Sequence, residues 1–429
     1  MRGFGYELSF KPTGVEWLGD IPEHWEVRRL KSVCRFTYGD SLASDERIDG
    51  AIPVFGSNGQ VGYHICANTL GSCIIVGRKG SFGKIHYSLE PVFAIDTTFY
   101  IDSLNTEENL RFIYYLLEQL HLDSVSNDSA VPGLSREEAY QNIVAVPPKI
   151  EQSAIVDYLD NVNLMLRGGV SQKQELVELM DEYKRAVIQQ TVTRGLDPDV
   201  PLKPSGVEWL GDIPEHWELS RLKQCFGINE LTLPEITDPE FVFEYLEINA
   251  VGTGKLVGKP TKVKFGTAPS SARRVIKIGD TIVSKVRFNL QAIWFADHID
   301  GDLICSTGFA VLTPGQYILP EYTRYMLMSE YIMSQGVAIS TGVHYPTISD
   351  SLLGSIFACL PPLAEQATIV AYLDNLTSDI DAAIARTRRE IELLEEYRTR
   401  LIADVVTGKL DVREAAAELP DIRSDEIQS

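Results

Sequence analysis

A segment of 21 residues occurs twice in this chain, with only three differences between the copies. Lys11–Lys31 reads KPTGVEWLGDIPEHWEVRRLK, and Lys203–Lys223 reads KPSGVEWLGDIPEHWELSRLK. Self-similarity this close predicts that the chain contains two copies of one structural element. Any fold proposed for the chain has to place both copies.

A second duplicated segment follows each copy of the first. Val146–Asp197 aligns without a gap with Leu360–Asp411, and both contain P-P-x-x-E-Q-x-x-I-V-x-Y-L-D. The first pair of copies is offset by 192 residues and the second by 214, so the stretches between them differ in length by 22 residues. These stretches, roughly 32–145 and 224–359, look unrelated in sequence. The chain is therefore a duplicated frame that carries two unlike inserts.

The bulk composition is that of an ordinary soluble globular protein with room for two to four domains. The chain has 429 residues, of which 44% are apolar and 23% charged. The N-terminus MRGFGYELSF lacks the apolar core of a signal peptide, and no run of eighteen apolar residues occurs, which favours a cytoplasmic location. The six cysteines include no C-x-x-C pair, which favours buried reduced thiols over a metal site or disulfides.

The net charge of −21 argues, at first sight, against nucleic acid as a partner, but the charge is unevenly distributed. Nine basic residues and a single acidic one, Asp280, fall within Lys255–Arg287, so this window carries +8 and the rest of the chain −29. Fields at a contact are local, because salt screens charges beyond about 8–10 Å. We expect the window to form one face or edge of a strand pair that meets phosphate; the alternative is a solvated sheet surface.

The second duplicated segment predicts a long helix in each half. Paired prolines block any helix upstream, and in the later copy the seam positions from Ile380 to Val405 recur at spacings of four and three. The earlier copy places Leu166 to Thr191 at the matching positions. A lone helix of about 40 residues cannot bury such a stripe, so we expect the two helices to pack on each other around a pseudo-twofold axis. The alternative is that each packs separately against its own insert.

The inserts show a different pattern. Runs such as SCIIVGRKG, FVFEYLEI and RRVIKIGDTIVSKVRF are rich in β-branched and aromatic residues and alternate with glycine turns. Each insert ends in a helical stretch, near 110–120 and 321–333. The sequence therefore predicts an α+β protein with a helical frame and sheet-rich inserts.

Catalytic motifs are mostly absent. The loop GRKGSFGK resembles a phosphate loop, but five residues instead of four separate Gly77 from Gly83, and Ile85 follows Lys84 where Ser or Thr is needed. An Asn-Pro-Pro-aromatic motif and a glycine-rich cofactor loop are also missing, which disfavours a self-sufficient amino-methyltransferase. The loop can bind phosphate more simply, through glycine amides and basic side chains; the alternative is a solvated basic turn.

Two histidines, His24 and His216, lie beside Trp25 and Trp217 in the first duplicated segment. With no carboxylate or cysteine at a telling spacing, a structural role is favoured over a catalytic one. We interpret each copy, 11–31 and 203–223, as a clip that docks one unit through tryptophan burial and a Gly-Asp-Ile-Pro turn.

The two GVEWLGDIPEHW segments, the two P-P-x-x-E-Q-x-x-I-V-x-Y-L-D helices and the two divergent inserts resemble the DNA specificity subunit of type I restriction–modification systems. The resemblance covers nearly the whole chain, from Lys11 to Asp411. GSNGQVGYH at 56–64 and GRKGSFGK are similar to insert motifs of that family, whereas IKIGDTIVSKVR of the second insert is similar to a different insert subtype. The two inserts are therefore expected to read different sequences.

The resemblance implies two sheet-rich target recognition domains joined and spaced by two long antiparallel coiled-coil helices. The expected limits are 1–145 for the first recognition domain, 146–200 for the first spacer helix, 201–359 for the second recognition domain, 360–411 for the second spacer helix and 412–429 for a disordered acidic tail. It also implies a non-catalytic chain that reads a bipartite, asymmetric site on double-stranded DNA. Two adenine-N6 methyltransferase subunits and restriction–translocase subunits would be its partners and would use S-adenosylmethionine, ATP and Mg²⁺, with no cofactor, metal or membrane contact in this chain.

Base readout is expected to use major-groove hydrogen bonds from side chains on loops of the inserts. The candidate residues in the first insert are Asn58, Gln60, Tyr63, Arg78, Lys79, Ser81 and Lys84. Those in the second insert are Lys262, Lys264, Arg273, Arg274, Lys285, Arg287 and Asn289, with Thr341, His344 and Tyr345 of the TGVHYP loop. Two other functions stay open: a DNA-modifying enzyme with an unrecognised catalytic site, and an adaptor whose inserts bind protein.

Overall fold

The chain divides into two units, each built from one insert, its clip and one half of each long helix. The structure, a computed structural model, describes residues 9–124, 133–342 and 344–420. The first unit comprises Met1–Gln174 with Arg388–Ser429, and the second comprises Glu175–Thr387. Because the division runs through both long helices, it differs from the limits expected from the sequence, which gave each helix a segment of its own.

The long helices are Lys149–Arg194 and Leu363–Val406, with 46 and 44 residues. We call them the first and second arm helix. Each begins directly after its paired prolines. Proline is tolerated at the start of a helix, because the N–H that it lacks would have no carbonyl partner within the helix. The carbonyl of Pro148 accepts from the amide of Gln152, and the carbonyl of Pro362 accepts from that of Gln366.

The arm helices pack against each other within each unit, and they run antiparallel. In the first unit Asn163 bonds Arg398 and Lys173 pairs with Glu390, so the partner number falls as the residue number rises. In the second unit Lys184 pairs with Asp381.

Apolar seam residues lie beneath these polar pairs. Val177 forms a buried cluster with Ile380 and Ile384 in the second unit, and Leu401 and Val405 enter the core of the first unit. The predicted seam is confirmed, and the alternative of helices that pack only on their own inserts is wrong.

Each clip is a short antiparallel strand pair followed by a buried tryptophan. Phe10–Pro12 pairs with Asp20–Pro22 in the first copy, and Leu202–Pro204 pairs with Asp212–Pro214 in the second. Glycine precedes the second strand of each pair with φ of 63° at Gly19 and 65° at Gly211, a conformation that other residues rarely adopt.

The strand after each clip closes the base of the insert. Glu26–Arg29 pairs antiparallel with Ile143–Val146, and Glu218–Arg221 pairs with Phe357–Leu360. The two ends of each insert are therefore adjacent, although more than 100 residues separate them in the sequence.

The first insert contains two small sheets and one helix that contacts the arm. The four-stranded sheet has the order Thr37–Tyr38, Thr98–Ile101, Cys73–Gly77 and Ile85–Ser88, and the three-stranded sheet has the order Gly59–His64, Ile52–Gly56 and Phe93–Ala94. The helices are Leu110–Glu118 and Arg136–Ala139, with 3₁₀ turns at Leu30–Ser32 and Ser44–Glu46. The predicted helical stretch near 110–120 is confirmed.

The second insert contains two four-stranded sheets. One has the order Phe226–Ile228, Phe309–Pro314, Thr281–Ser284 and Ile293–Phe295; the other has the order Thr261–Lys264, Val242–Leu246, Leu303–Ser306 and Ala272–Ile276. The helices are Leu222–Cys225, Pro320–Met328, Glu330–Ala338 and Asp350–Leu353, with 3₁₀ turns at Ile248–Ala250, Phe265–Thr267 and Phe288–Leu290. The stretch predicted near 321–333 is thus two helices, because Ser329 between them has extended backbone angles.

The segment after the second arm helix returns to the first clip. Val412 is buried in the core of the first unit, and Arg413–Ala417 forms a short helix. The remainder of the tail that we predicted to be disordered, 421–429, lies outside the described residues. In the described part of the chain, no helix has both the length and the apolar content needed to cross a bilayer.

Replacing Trp217 by alanine is expected to lower the free energy of unfolding by about 3–5 kcal/mol, because it removes a fully buried aromatic side chain and leaves a cavity. Trp209 in the same clip is 47% exposed, so Trp209→Ala is the matched control and should cost only about 0.5 kcal/mol. Urea denaturation followed by circular dichroism measures both. Equal losses in the two variants would contradict a clip held by its second tryptophan.

Candidate nucleic-acid interface

Three of the residues predicted in the first insert converge at the tip of one β-hairpin. Strands Ile52–Gly56 and Gly59–His64 are joined by Ser57 and Asn58. The Oδ1 atom of Asn58 accepts from Lys84 Nζ at 2.6 Å and from Ser81 Oγ at 3.4 Å. The hairpin tip and the GRKGSFGK loop, distant in sequence, therefore form one exposed polar surface.

Two glycines of the GRKGSFGK loop allow other backbone atoms to pack closely against them. A Cβ on Gly77 would lie 2.3 Å from the carbonyl oxygen of Ser81, and one on Gly83 would lie 2.2 Å from the amide nitrogen of Asp123. The amides of Gly77 and Gly83 donate to carbonyls of the loop itself, and those of Arg78 and Lys79 both donate to Thr97. The expectation that glycine amides of this loop cradle an anion is therefore wrong for Gly77 and Gly83, because both are used internally.

The remaining candidates of the first insert differ in exposure. Gln60, Tyr63 and Lys79 are exposed to solvent. Arg78 is half-buried: its guanidinium stacks over the ring of Tyr38 at 4.8 Å, and its Nη1 donates to the carbonyl of Asp96. Arg78 thus supports the loop as well as contributing charge to it.

The basic window of the second insert does not form a single edge. Lys262 and Lys264 lie on the strand at one edge of a four-stranded sheet, and Arg273 and Arg274 lie on the strand at the opposite edge. Two other strands separate them, one of which, Leu303–Ser306, comes from later in the chain. The expectation that these two strands pair and form one edge is therefore wrong; that their basic residues share a face stays a prediction, and Lys262 and Lys264 are exposed.

Two cations of the window share one carboxylate. Lys285 Nζ donates to Asp350 Oδ1 at 2.7 Å, and Arg274 Nη2 lies 3.6 Å from Asp350 Oδ2. Burial raises the pKa of Asp350, but hydrogen bonds from Lys285 and Asn229 and the nearby positive charges outweigh it, so the pKa lies below its ordinary value. Because they also hold the insert together, Arg274 and Lys285 are weaker candidates for DNA contact, which stays a prediction for both.

A second exposed surface forms where the TGVHYP loop meets the segment after Lys285. The amide of Arg287 donates to the carbonyl of Pro346 at 2.7 Å, and its guanidinium carbon lies 4.7 Å from the centre of the Tyr345 ring. Thr341 and Thr347 exchange backbone hydrogen bonds that close the loop. Asn289, two residues after Arg287, and His344, next to Tyr345, are also exposed.

Arg287 itself has φ of 51°, a left-handed conformation that is uncommon outside glycine and is often found where side chains contact ligands. The remaining candidate, Arg273, stacks over Phe265 at 4.7 Å.

A duplicated hydrogen-bond bracket mounts each insert on its arm. His24 Nε2 lies 2.7 Å from Glu151 Oε1, and Trp25 Nε1 donates to Glu151 Oε2 at 2.9 Å. In the second unit His216 Nε2 lies 2.8 Å from Glu365 Oε2, and Trp217 Nε1 donates to the same oxygen at 3.1 Å. Both histidines therefore link a clip to an arm helix, and the structural role expected for them stays a prediction.

Sequence reasoning missed the carboxylate partner of each histidine, because 127 residues separate His24 from Glu151. The available signal was that both members of each pair belong to duplicated segments.

The glutamine that follows each of these glutamates is fully buried and carries a second link. Gln152 Oε1 accepts from the amide of Asn109, and Gln366 Oε1 accepts from the amide of Leu319, at the starts of the two insert helices that contact the arms. Each glutamine also donates to the carbonyl of the first proline of its pair. The duplicated E-Q dipeptide therefore ties the clip, the insert and the arm helix together.

An aspartate two turns further along each arm helix completes the mounting. Asp160 accepts from Arg111 Nε at 2.9 Å and from the Tyr115 hydroxyl. Asp374 accepts from Arg324 and, at 2.5 Å, from the Tyr325 hydroxyl. Burial, followed by the hydrogen bond to Asp374, raises the pKa of Tyr325 to about 12, so this hydroxyl remains a donor at neutral pH.

Within residues 9–124, 133–342 and 344–420, no group of three or more His, Cys, Asp or Glu side chains is arranged to hold a metal ion. The expectation that this chain carries no cofactor stays a prediction.

Comparisons with known proteins find similarity along most of the chain. A family model described as "Type I restriction modification DNA specificity domain" matches residues 22–175, which include the end of the first clip, the first insert and the start of the first arm helix. The type I restriction enzyme MjaVIII specificity subunit of Methanocaldococcus jannaschii is 23% identical over 92% of this chain and 94% of its own length. The EcoDI specificity subunit of Escherichia coli is 23% identical over 96% of this chain and 97% of its own length.

A solved structure shares the fold. It comes from work on complex assembly and conformational transition of the type I R-M system, superposes with a TM-score of 0.67 at 15% identity, and covers 91% of this chain and 99% of that one. At this identity the superposition shows the fold alone, while the matched domain and the full-length relatives show which proteins the sequence is similar to. Over nearly its whole length the chain is thus similar to type I restriction–modification DNA specificity subunits.

Proposed function

We propose that this chain is the DNA sequence-recognition subunit of a type I restriction–modification complex, and that it reads a bipartite, asymmetric site. One observation carries the proposal: two sheet-rich inserts of the same strand order but unlike sequence, the second with an additional edge strand Ala272–Ile276, are mounted on the same duplicated frame. Because both inserts are attached to the frame in the same way, each can contact DNA in an equivalent manner. Inserts of different sequence are expected to recognise different half-sites. Catalysis would belong to partner subunits.

The chemistry of the exposed insert surfaces supports DNA as the ligand. Lys79 and Lys84 in the first insert and Lys262 and Arg287 in the second are accessible cations that can neutralise phosphates. Asn58 and Asn289 lie among them and can offer both a donor and an acceptor to a base edge. We observe no feature that favours the alternatives of an unrecognised enzyme or a protein-binding adaptor.

The test is to sequence methylated bases in DNA from a host without other methyltransferases that carries this chain and its methyltransferase partner. We expect N6-methyladenine at one motif made of two specified parts and an unspecified spacer. Lys84→Ala should weaken or relax one part and Arg287→Ala the other, because each lies in a different insert; Lys149→Ala, an exposed lysine at the start of an arm helix, is the control. A continuous motif would refute the two-reader proposal, and methylation by this chain alone would make it an enzyme.

The arm helices carry a duplicated, exposed apolar patch that suits two copies of one partner. Leu179 and Tyr183 on the first arm helix correspond to Leu393 and Tyr397 on the second, and all four are between 46% and 56% exposed. In each pair the two residues are four apart, so they lie together on one face of the helix, beside the seam. We assign these docking patches to the two methyltransferase subunits.

A charge introduced into one docking patch should prevent one methyltransferase subunit from binding to the chain. Tyr397→Glu and Tyr183→Glu are each expected to lower the stoichiometry from two methyltransferases per chain to one, and the double variant to none. Size-exclusion chromatography with light scattering measures the mass of the complex. Ala385→Glu, at an exposed position of the second arm helix, is the control. A double variant that still binds two methyltransferases would contradict the assignment.

We also propose that the arm helices set the spacer length. Inserting one heptad after Gln174 and another after Thr387 keeps the seam in phase, because the two points lie at the same level of the antiparallel pair. Seven residues add about 10.5 Å, close to three base pairs at about 3.4 Å each. Methylation sequencing should therefore show a spacer longer by about three base pairs between unchanged half-sites.

The same heptad placed in the first arm helix alone shifts its partners out of register and should abolish methylation. An unchanged spacer in the matched double insertion would mean that the helices do not set the distance.

The remaining partners follow from the same proposal. Restriction–translocase subunits would join the complex and use ATP and Mg²⁺, and the methyltransferases would use S-adenosylmethionine. The cytoplasmic location expected from the sequence stays a prediction.

A further inference from the structure

A buried polar chain connects the first insert to both arm helices. Tyr115, on the insert helix Leu110–Glu118, donates to Asp160 of the first arm helix and accepts from Asn163 Nδ2 at 2.9 Å. Asn163 Oδ1 in turn accepts from Arg398 Nε of the second arm helix at 2.8 Å. Tyr115, Asp160 and Asn163 are all buried, so each bond operates away from water.

The corresponding chain in the second unit ends one step earlier. Thr377 occupies the position of Asn163 and Lys184 that of Arg398, at the 214-residue offset of the repeat. The Thr377 hydroxyl lies 3.3 Å from the Tyr325 hydroxyl, as Asn163 lies near Tyr115. Lys184, however, donates to both carboxylate oxygens of Asp381, at 2.6 Å. The chain through Thr377 thus ends at one arm helix, although the second insert also contacts the other arm helix through bonds from Tyr331 to Gln189 and from Tyr322 to Val192.

We infer that Asn163 and Arg398 are positioning residues that fix the orientation of the first insert on its arms, and that their link makes the complex reject sites whose spacer is one base pair too long or too short. This inference rests on the proposed function. A buried polar network that reaches both arm helices favours one geometry, whereas an insert whose polar network ends at one helix has one constraint fewer on its rotation. A change of one base pair moves a half-site by about 3.4 Å along the duplex and turns it by about 34° around the duplex axis, so an insert has to reorient to admit it.

The test replaces Asn163 or Arg398 by the residue found at the equivalent position of the second unit, which is threonine or lysine. Asn163→Thr keeps a hydroxyl for Tyr115 but cannot reach Arg398, and Arg398→Lys removes the planar donor from the other side. The assay is methylation, by the complete complex, of duplexes with both half-sites fixed and the spacer at the parental length or one base pair shorter or longer.

We expect each variant to raise the rate on the off-length spacers, relative to the parental spacer, by roughly tenfold, the equivalent of one lost hydrogen bond to a charged group. The double variant should match the single ones, because all three break the same bond.

Asn161→Thr is the matched control. Asn161 is equally buried and lies on the same helix, but its Nδ2 donates only to the carbonyl of Asp157 one turn earlier. A purely structural role predicts that Asn161→Thr and Asn163→Thr lose activity on all three spacers in parallel with their thermal stability, and this result would overturn the inference. The inference would also be overturned if Asn163→Thr and Arg398→Lys showed the same relative rates on the three spacers as the parental complex. A parental complex without a two-part motif would instead refute the proposed function, before the variants are compared.

Discussion

Each unit depends on the hydrogen bonds between a clip and the glutamate that opens an arm helix. Glu151 and Glu365 each accept an indole N–H and lie within hydrogen-bond distance of a histidine, so the segment before an insert is fixed to the segment after it. A strand pair beside each bracket then brings the ends of the insert together. With both ends held by the frame, the interior of an insert can change without disturbing the mounting. This explains how inserts of unlike sequence, the second with one additional strand, occur on one duplicated frame.

The antiparallel arm helices mean that neither unit is built from one continuous stretch of chain. The core of the first unit includes Leu401 and Val405 from the end of the second arm helix, and that of the second unit includes Ile188 and Val192 from the end of the first. Each mounting therefore uses the start of one helix and the end of the other. The two units also differ in how far the polar bonds extend, because Asn163 reaches across the arm pair and Thr377 does not.

Sequence reasoning succeeded where the signal was local or repeated. The spacing of apolar residues from Ile380 to Val405 predicted the seam, since helical periodicity is encoded in neighbouring residues. It failed for the basic window, because strands Thr261–Lys264 and Ala272–Ile276 are close in sequence but lie at opposite edges of their sheet. Strand order depends on which later strand enters between them, and residue propensity carries no record of that. The docking patches fall between these cases: the repeat marks Leu179 and Leu393 as equivalent, and only the structure shows that both are exposed.

The sequence by itself determined the duplicated frame, the two arm helices and the presence of two unlike sheet-rich inserts, because repeats and periodicities can be read from the order of residues alone. The tertiary structure decided which polar groups are available to a ligand. It pairs Lys285 with Asp350, uses the amides of Gly77 and Gly83 within their own loop, and leaves Lys84 and Arg287 exposed. The physical reason is that a hydrogen-bond partner is any group that folding brings within about 3 Å. Such partners come from distant positions that no local spacing specifies.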